Sequence, residues 1–476
     1  MFELTPIHEW ADEPGVHVSW GPSAATASKA KEAPRSDVPV SYQQAQHVRS
    51  FLEHTARGTQ MARLTVPVWN IQGRCDIRAM THVINAYLRR HDTYRSRFEV
   101  DTDGSVVRHA LAKPSDIRFT AVDHGEQTVD QWRAEILATP GPVEWDCFRF
   151  GIIQRADHFT FYMCVDHVHV DAMFLALLFV EIHLMYAAIV DGGCPIPLPP
   201  AGSYDEYCIR QREFTSKLTT GSPEVQEWIA YAKRNGNSLP RFPLPLGDFE
   251  VPCEGDLLTV ELMDERLSDE FEKVCAAAGA RFIGGVFACA AMAEHSLTGS
   301  SMYHTITPTS TRRGTEELMT TGWFTGTVPI TVTVNADSLG DTLRSAQASF
   351  DNGLALSHVP FDRVVELAGP THGVKYPGSG VPMISYLDTS CGPFSPDVVA
   401  QWNALGGRIY SEAGAAHQVG MWVNRFGNGT SVTVAYPNNP VARDSVIRYV
   451  EAMKAMFVRV AASRHAVTPA PSLIST

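Results

Sequence analysis

Between Phe159 and Val190 the chain is apolar almost throughout, except for nine residues, VDHVHVDAM (Val165–Met173), that carry four titratable side chains. No other feature constrains the fold as much. The run FTFYMC before it predicts the second strand of a hairpin begun at FRFGIIQ, and FLALLFVEIHLMYAAIV after it predicts a long buried helix. A membrane span over Ala172–Val190 is disfavoured, because Glu181 and His183 in its middle would be costly in lipid. The motif therefore falls where a strand hands over to a helix. A rigid strand end is a workable mount for an imidazole, and an Asp four residues on can fix a ring tautomer or cap the helix. His167 is the first candidate, against the alternative of a core histidine satisfied by backbone. His169 is a second candidate, facing the same side if the strand continues. Asp166, His167, His169 and Asp171 together could also ligate a metal. No further clustered His or Cys completes a set, so no metal is expected.

The 476 residues exceed one ordinary core, and 44% hydrophobic content is enough to fill two. A net charge of -13 argues against a nucleic-acid binder, which needs an excess of Lys and Arg. Nine cysteines with no CxxC pair suit reduced thiols in the cytoplasm. The N-terminus MFELTPIHEWADEPG lacks a basic region followed by an apolar run, so no secretory signal is expected. No Gly-rich phosphate loop or dinucleotide fingerprint appears, and Ser379 in PGSGV lacks the spacing of a nucleophile elbow.

Along the chain, the Ala-, Ser-, Lys- and Pro-rich Ser23–Pro39 predicts an extended arm. Ser41 then caps a helix with Ala45, Val48 and Leu52 at helical spacing, RLTVPVWNIQG reads as a strand, and Ile77, Met80, Ile84 and Leu88 mark a helix face. DGGCPIPLPPAGSYDEY and SLPRFPLPLGDFEVP are Pro-rich breaks, and between them the domain junction is expected, from Asp191 to Pro252. A strand and two helices restart at DLLTVELMD, further strand signals follow, and the chain closes on the helix VARDSVIRYVEAMKAMFVRVAA. Mixed sheets flanked by helices in both halves give an α/β (α+β) protein. The expected division is an arm over 1–37, a first lobe over 38–207, a helical extension and connector over 208–252, and a second lobe over 253–476. The small-residue face of AGARFIGGVFACAAMA leaves two readings, room for an acyl chain or close helix packing.

His167-x-x-x-Asp171 resembles the HHxxxDG motif of the condensation-domain superfamily, acyltransferases that share the chloramphenicol acetyltransferase fold. VPVSYQQAQ is similar to that family's S-x-x-Q helix and LRRHDTYRSRF to its R-H-x-x-L-R-x-x-F segment. TPTSTRR resembles its T-P-x-x-x-R strand, GWFTGTVPI its G-x-F-x-N-T-x-P strand, and SHVPFDRVVEL its H-x-x-x-P-F-x-x-L-V-x-x-L helix. Six motifs in order cover nearly the whole chain. Three positions depart: Asp166 stands for the first His, Ala172 for the Gly and Gly326 for the Asn. Within the superfamily, SDVPVSYQQAQH, CFRFGI, VDHVHVDAM and TRRG…GWFTG look most like polyketide-associated acyltransferases that esterify trehalose in cell-envelope glycolipids.

The resemblance implies two chloramphenicol-acetyltransferase-like lobes with a channel between them and a catalytic His167 acting as general base. It implies that Asp171 turns away and pairs with Arg312, bracing the loop across lobes, and that Asp166, His169, Trp323 and Thr325 line the channel. It implies a long-chain acyl thioester donor, coenzyme A- or carrier-bound, a trehalose-type acceptor, no bound cofactor and no acyl-enzyme. A polyketide synthase or acyl carrier protein is the implied partner of a cytoplasmic monomer that works at the inner face of the plasma membrane. The alternatives are amide formation of the condensation type and a catalytically degenerate lipid- or carrier-binding protein.

Overall fold

The computed structural model describes residues 4–248, 253–377, 382–389, 395–427 and 429–463. The chain forms two compact units, each built on one mixed sheet.

The first unit comprises Met1–Ser216, Arg312–Thr325 and Cys391–Gly414. Its seven-stranded sheet runs, edge to edge, Leu4–Pro6, Arg408–Ser411, Leu64–Gln72, His158–Asp166, Phe148–Gln154, Gly15–Pro22 and Phe119–Gln127. Arg408–Ser411 runs parallel to Leu4–Pro6 and antiparallel to Leu64–Gln72, and the remaining neighbours are antiparallel. The hairpin that delivers the polar motif is present at Phe148–Gln154 and His158–Asp166. Every residue of the second strand after His158 is buried, which is why its sequence reads as a continuous apolar run. Trp20, Trp69, Trp132 and Tyr162 are fully buried in this unit.

Two expectations are corrected here. Residues 1–37 are not an arm: Gly15–Pro22 is an interior strand and Ala24–Lys31 is a helix capped by Ser23, whose Oγ accepts from the Thr26 amide at 3.3 Å. Glycine and proline at the strand's ends, and an Ala/Lys-rich helix with little apolar surface, hid both from periodicity. The lobes are also not continuous in sequence. The first extends through the helix Tyr204–Ser216 and takes back 312–325 and 391–414, because Tyr204 and Tyr207 pack on Phe324 and Arg408–Ser411 pairs with Leu64–Gln72.

The apolar helix after the motif spans Phe174–Gly192 with a π-helical turn at Phe179–Leu184. Its length and composition would suffice for a membrane span. Glu181 is buried in it and ion-paired to Arg90 (3.1 Å) and His91 (3.1 Å).

The second unit comprises Lys217–Thr311, Gly326–Ser390 and Ala415–Thr476. Its six-stranded sheet runs Thr325–Thr333, Met302–Ser310, Met383–Asp388, Gly420–Phe426, Gly429–Pro437 and Gly255–Asp264. Met383–Asp388 is parallel to both neighbours, and the last three strands are antiparallel. Helices Glu265–Ala277, Phe282–Thr298, Leu339–Gly353 and Pro440–Ala462 pack around Phe271, Val286, Leu343, Met453 and Phe457. The small residues at the start of Phe282–Thr298 serve close packing. A Cβ at Gly285 would lie 2.5 Å from Cys275 Sγ and 2.6 Å from the Phe271 ring.

Candidate active site

The strand His158–Asp166 ends where Asp166 folds back on its own chain: its Oδ1 accepts from the Val168 amide at 2.9 Å and opens a 3₁₀ turn, His167–His169. That turn decides which histidine meets solvent. At about 120° per residue, positions two apart no longer share a side as they would on a strand. His167 is half-buried, whereas His169 is fully buried.

His169 lies against the Tyr94, Phe98 and Phe148 rings, with its Nδ1 3.0 Å from Thr93 Oγ1. Burial pushes its pKa down to about 3. The expectation of a channel residue is corrected: His169 is a neutral core histidine. Asp166 is likewise corrected. It has no exposed surface and pairs with His47 Nε2 (2.7 Å) and Arg63 Nη1 (3.0 Å). Burial opposes its ionisation, but His47, Arg63 and the Val168 amide outweigh that and hold the carboxyl below the usual range. Arg63 also donates to the Thr139 and Pro140 carbonyls and, with Glu412, fixes the start of the neighbouring strand.

His167 keeps its backbone amide on the Arg63 carbonyl at 2.8 Å and sets its ring against Trp323, with centroids 4.3 Å apart. His47 is 6.3 Å away and meets the same tryptophan edge-on at 5.5 Å. Burial first, then the charge of His47, lowers the pKa of His167, while its own carbonyl and the Asp166 and Asp171 carboxylates pull it up. The balance favours a neutral imidazole at neutral pH. Its Nδ1 is enclosed and makes no hydrogen bond to another of the described residues.

Asp171 does not hold the His167 ring. It takes a two-point grip from Arg312, Nη1 to Oδ2 at 2.5 Å and Nη2 to Oδ1 at 3.0 Å, and accepts from the Phe324 and Met173 amides at 3.0 and 3.1 Å. Arg312 is in turn fixed by the Glu317 and Thr320 carbonyls (3.0 and 3.1 Å) and lies 4.4 Å over the Phe324 ring. The expected brace across lobes is corrected to one within the first unit, because Arg312–Thr325 packs there with Asp171. The pair thus ties the 3₁₀ turn to the segment carrying Trp323 and Thr325. Thr325 is half-buried, and its carbonyl accepts from the Gln43 side chain.

Helix Tyr42–Ala56 supports the turn through the Ser41 and Gln44 of its S-x-x-Q motif and through His47, which the motif reading left out. Ser41 Oγ caps the Gln44 amide at 3.2 Å and accepts from the Tyr204 hydroxyl at 2.9 Å, and Gln44 Nε2 donates to the Val168 carbonyl at 3.1 Å. His47 follows Gln44 by three residues, on the face that also buries Val48. Two polar residues on an apolar face were the available signal. At Ala172, which is exposed, no glycine is needed: among the described residues Asn237 is the sole non-glycine with positive φ. Gly326 is a packing position, since a Cβ there would stand 2.0 Å from the Ser357 carbonyl oxygen. Ser379 lies outside the described residues.

The arrangement is therefore a neutral, half-buried imidazole on a turn locked by two buried carboxylates, and its kinship is specific. The condensation-domain family model matches residues 38–386. The acyltransferase PapA3 of Mycobacterium tuberculosis is 49% identical over 457 residues, 96% of each chain. The trehalose-2-sulfate acyltransferase PapA2 of the same species is 51% identical over 461 residues, 97% of this chain and 98% of that one. A solved structure of PapA2 acyl transferase superposes with a TM-score of 0.94 at 50% identity, covering 97% of this chain and all of that one (100%). Motif order, fold and site agree, and the chain belongs to the condensation-domain family.

Proposed function

We propose that the chain is an O-acyltransferase that moves a long-chain fatty acyl group from a thioester to a hydroxyl of trehalose or a trehalose derivative. The observation that carries this reading is His167: an imidazole kept neutral by burial, half-buried beside Trp323, on a turn that Asp171 and Arg312 hold. The name of the half-identical relative PapA2, a trehalose-2-sulfate acyltransferase, supports the acceptor class. With Nδ1 enclosed, Nε2 is the nitrogen offered to substrate. It takes the proton of the sugar hydroxyl as that oxygen bonds to the thioester carbon. The tetrahedral adduct then expels the thiolate, C–S breaks, and the imidazolium returns its proton to sulfur. The products are an ester and a free thiol. A base of this kind contributes roughly 10²–10⁴ in rate.

The donor is a coenzyme A or carrier-protein thioester used as co-substrate, and the proposed location is the cytoplasm, which the eight free thiols among the described residues suit. Asp166 and Ala172 do not support a degenerate protein, because one braces the turn and the other sits in ordinary backbone.

The test uses purified protein, a long-chain acyl-CoA, and trehalose or its 2-sulfate. Mass spectrometry should show a monoacylated sugar with one thiol released per ester. Initial rates should give intersecting double-reciprocal lines, because parallel lines accompany a ping-pong acyl-enzyme. His167→Ala should lower kcat by at least about a hundredfold. A competent acyl adduct formed without sugar would overturn direct transfer, and thiol release without any sugar ester would overturn the acceptor.

A further inference from the structure

Away from the candidate active site, the edge of the first unit's sheet gathers two histidines and a glutamate that nothing above uses. His17 is on the strand Gly15–Pro22, His124 on the edge strand Phe119–Gln127, and Glu135 on the helix Val129–Leu137. The strand register slips between Val16 and Val18, so His124 and Gly125 together oppose His17. This bulge, with Gly125 at φ 71°, re-aims His124 across the edge until its ring stacks on His17 at 4.8 Å.

Each imidazole has its Nε2 2.8 Å from a hydroxyl, Tyr162 for His17 and Ser19 for His124. If those hydroxyls accept Nε2–H, both Nδ1 atoms carry lone pairs, the arrangement by which outer partners set the tautomer of a ligating histidine. Both Nδ1 atoms face one oxygen, Glu135 Oε2, at 3.3 Å from His17 and 3.6 Å from His124. The second carboxylate oxygen accepts from Gln127 Nε2 at 2.5 Å. Arg149 donates to the Glu135 main-chain carbonyl at 2.8 Å and not to the carboxylate, whose Oε2 faces the two histidines. His17 has no exposed surface, and its Nδ1, although 3.3 Å from Glu135 Oε2, makes no well-aligned hydrogen bond among the described residues. In that tautomer the two lone pairs and the carboxylate repel unless a cation stands between them.

The spacing fits zinc. Tetrahedral bonds of 2.0–2.1 Å place ligand atoms about 3.3 Å apart, and all three ligand atoms here lie within 4.8 Å of one another. Two imidazoles favour a transition ion over calcium or magnesium, which take oxygen. The side chains of His124 and Glu135 are 26% and 33% exposed, leaving the fourth position open to water. We propose that His17, His124 and Glu135 form a zinc site that fastens the edge strand Phe119–Gln127 to the sheet and to the helix Val129–Leu137. The sequence did not show it because His17 lies more than a hundred residues before His124 and Glu135 and meets them through a bulge.

Zinc titrated calorimetrically into chelator-stripped protein, with thiols alkylated to silence the exposed Cys194, should give one ion per chain. His124→Ala and Glu135→Gln, both at the rim, should each weaken binding by at least about tenfold while keeping the circular dichroism of the parent. Zinc should raise the wild-type Tm, and neither variant should show that rise. Cobalt in place of zinc should give the visible bands of a tetrahedral site. Absence of stoichiometric binding at micromolar zinc, or binding that either variant leaves within twofold, overturns the site.

Discussion

Replacing Asp171 by Ala removes an acceptor of four hydrogen bonds: two from Arg312, one from the Phe324 amide and one from the Met173 amide. The Arg312 side chain, 1% exposed, cannot follow the lost charge into water, because the Glu317 and Thr320 carbonyls and the Phe324 ring hold it. A buried cation stripped of its partner costs about 3–5 kcal/mol, and an orphaned amide about 1–3 kcal/mol. Those retained carbonyl bonds offset part of this, so we expect a loss near 4 kcal/mol overall. With a urea slope of about 3 kcal/mol/M, the midpoint should fall by roughly 1.3 M at unchanged slope. Asp171→Asn keeps an oxygen for the amides and should lose about half as much. Combining Asp171→Ala with Arg312→Met removes both charges and should recover at least about 2 kcal/mol, read as a coupling energy. The reasoning is refuted if Asp171→Ala unfolds within about 1 kcal/mol of wild type while its kcat collapses. The carboxylate would then be acting in the chemistry and not as a clamp.

Asp166→Asn should lower stability and also move the acid limb of the kcat/KM profile to lower pH, because the Asp166 charge is one of those that raise the pKa of His167. A limb that stays in place would remove Asp166 from the electrostatics of the base. His167 and His169 both have folded pKa values below the imidazole value of 6.5, His169 at about 3. Below pH 6.5 the unfolded chain therefore binds protons that the native chain does not, so their stabilisation is complete above that pH and is lost as pH falls. Urea midpoints should decline from pH 7 to pH 5, and His169→Gln should flatten the decline. Gly326→Ala should destabilise by about 1–3 kcal/mol, with a lower Tm, because its Cβ would meet the Ser357 carbonyl oxygen at 2.0 Å. An unchanged Tm would show that this backbone yields freely.

Elements whose own residues alternate or repeat were legible. The hairpin ending at Asp166, the helix Ile77–Arg90 and the Ser41 cap all follow from local pattern, and the structure has them. The motif order carried the family and the pairing of Asp171 with Arg312. What local pattern could not carry was any feature set by distant partners. His167 and His169 look equivalent on a strand, and the 3₁₀ turn that separates them depends on Asp166 capping Val168. Asp166 looked like a lost histidine because its partners, His47 and Arg63, stand 119 and 103 residues away. The strands Leu4–Pro6 and Arg408–Ser411 are three and four residues long, too short for an alternation to register.

The return of residues 312–325 and 391–414 to the first unit also bears on how the protein is made. Strand Leu64–Gln72 leaves the ribosome long before Arg408–Ser411, the neighbour that covers one of its edges. Asp171 likewise emerges 141 residues ahead of Arg312. For much of synthesis the nascent first half presents an open β-edge and a carboxylate without its cation, the kind of species on which chaperones act and from which aggregates grow. Cutting the gene at the Pro-rich connector would thus not release a free-standing N-terminal domain; separately expressed halves should be soluble only when produced together.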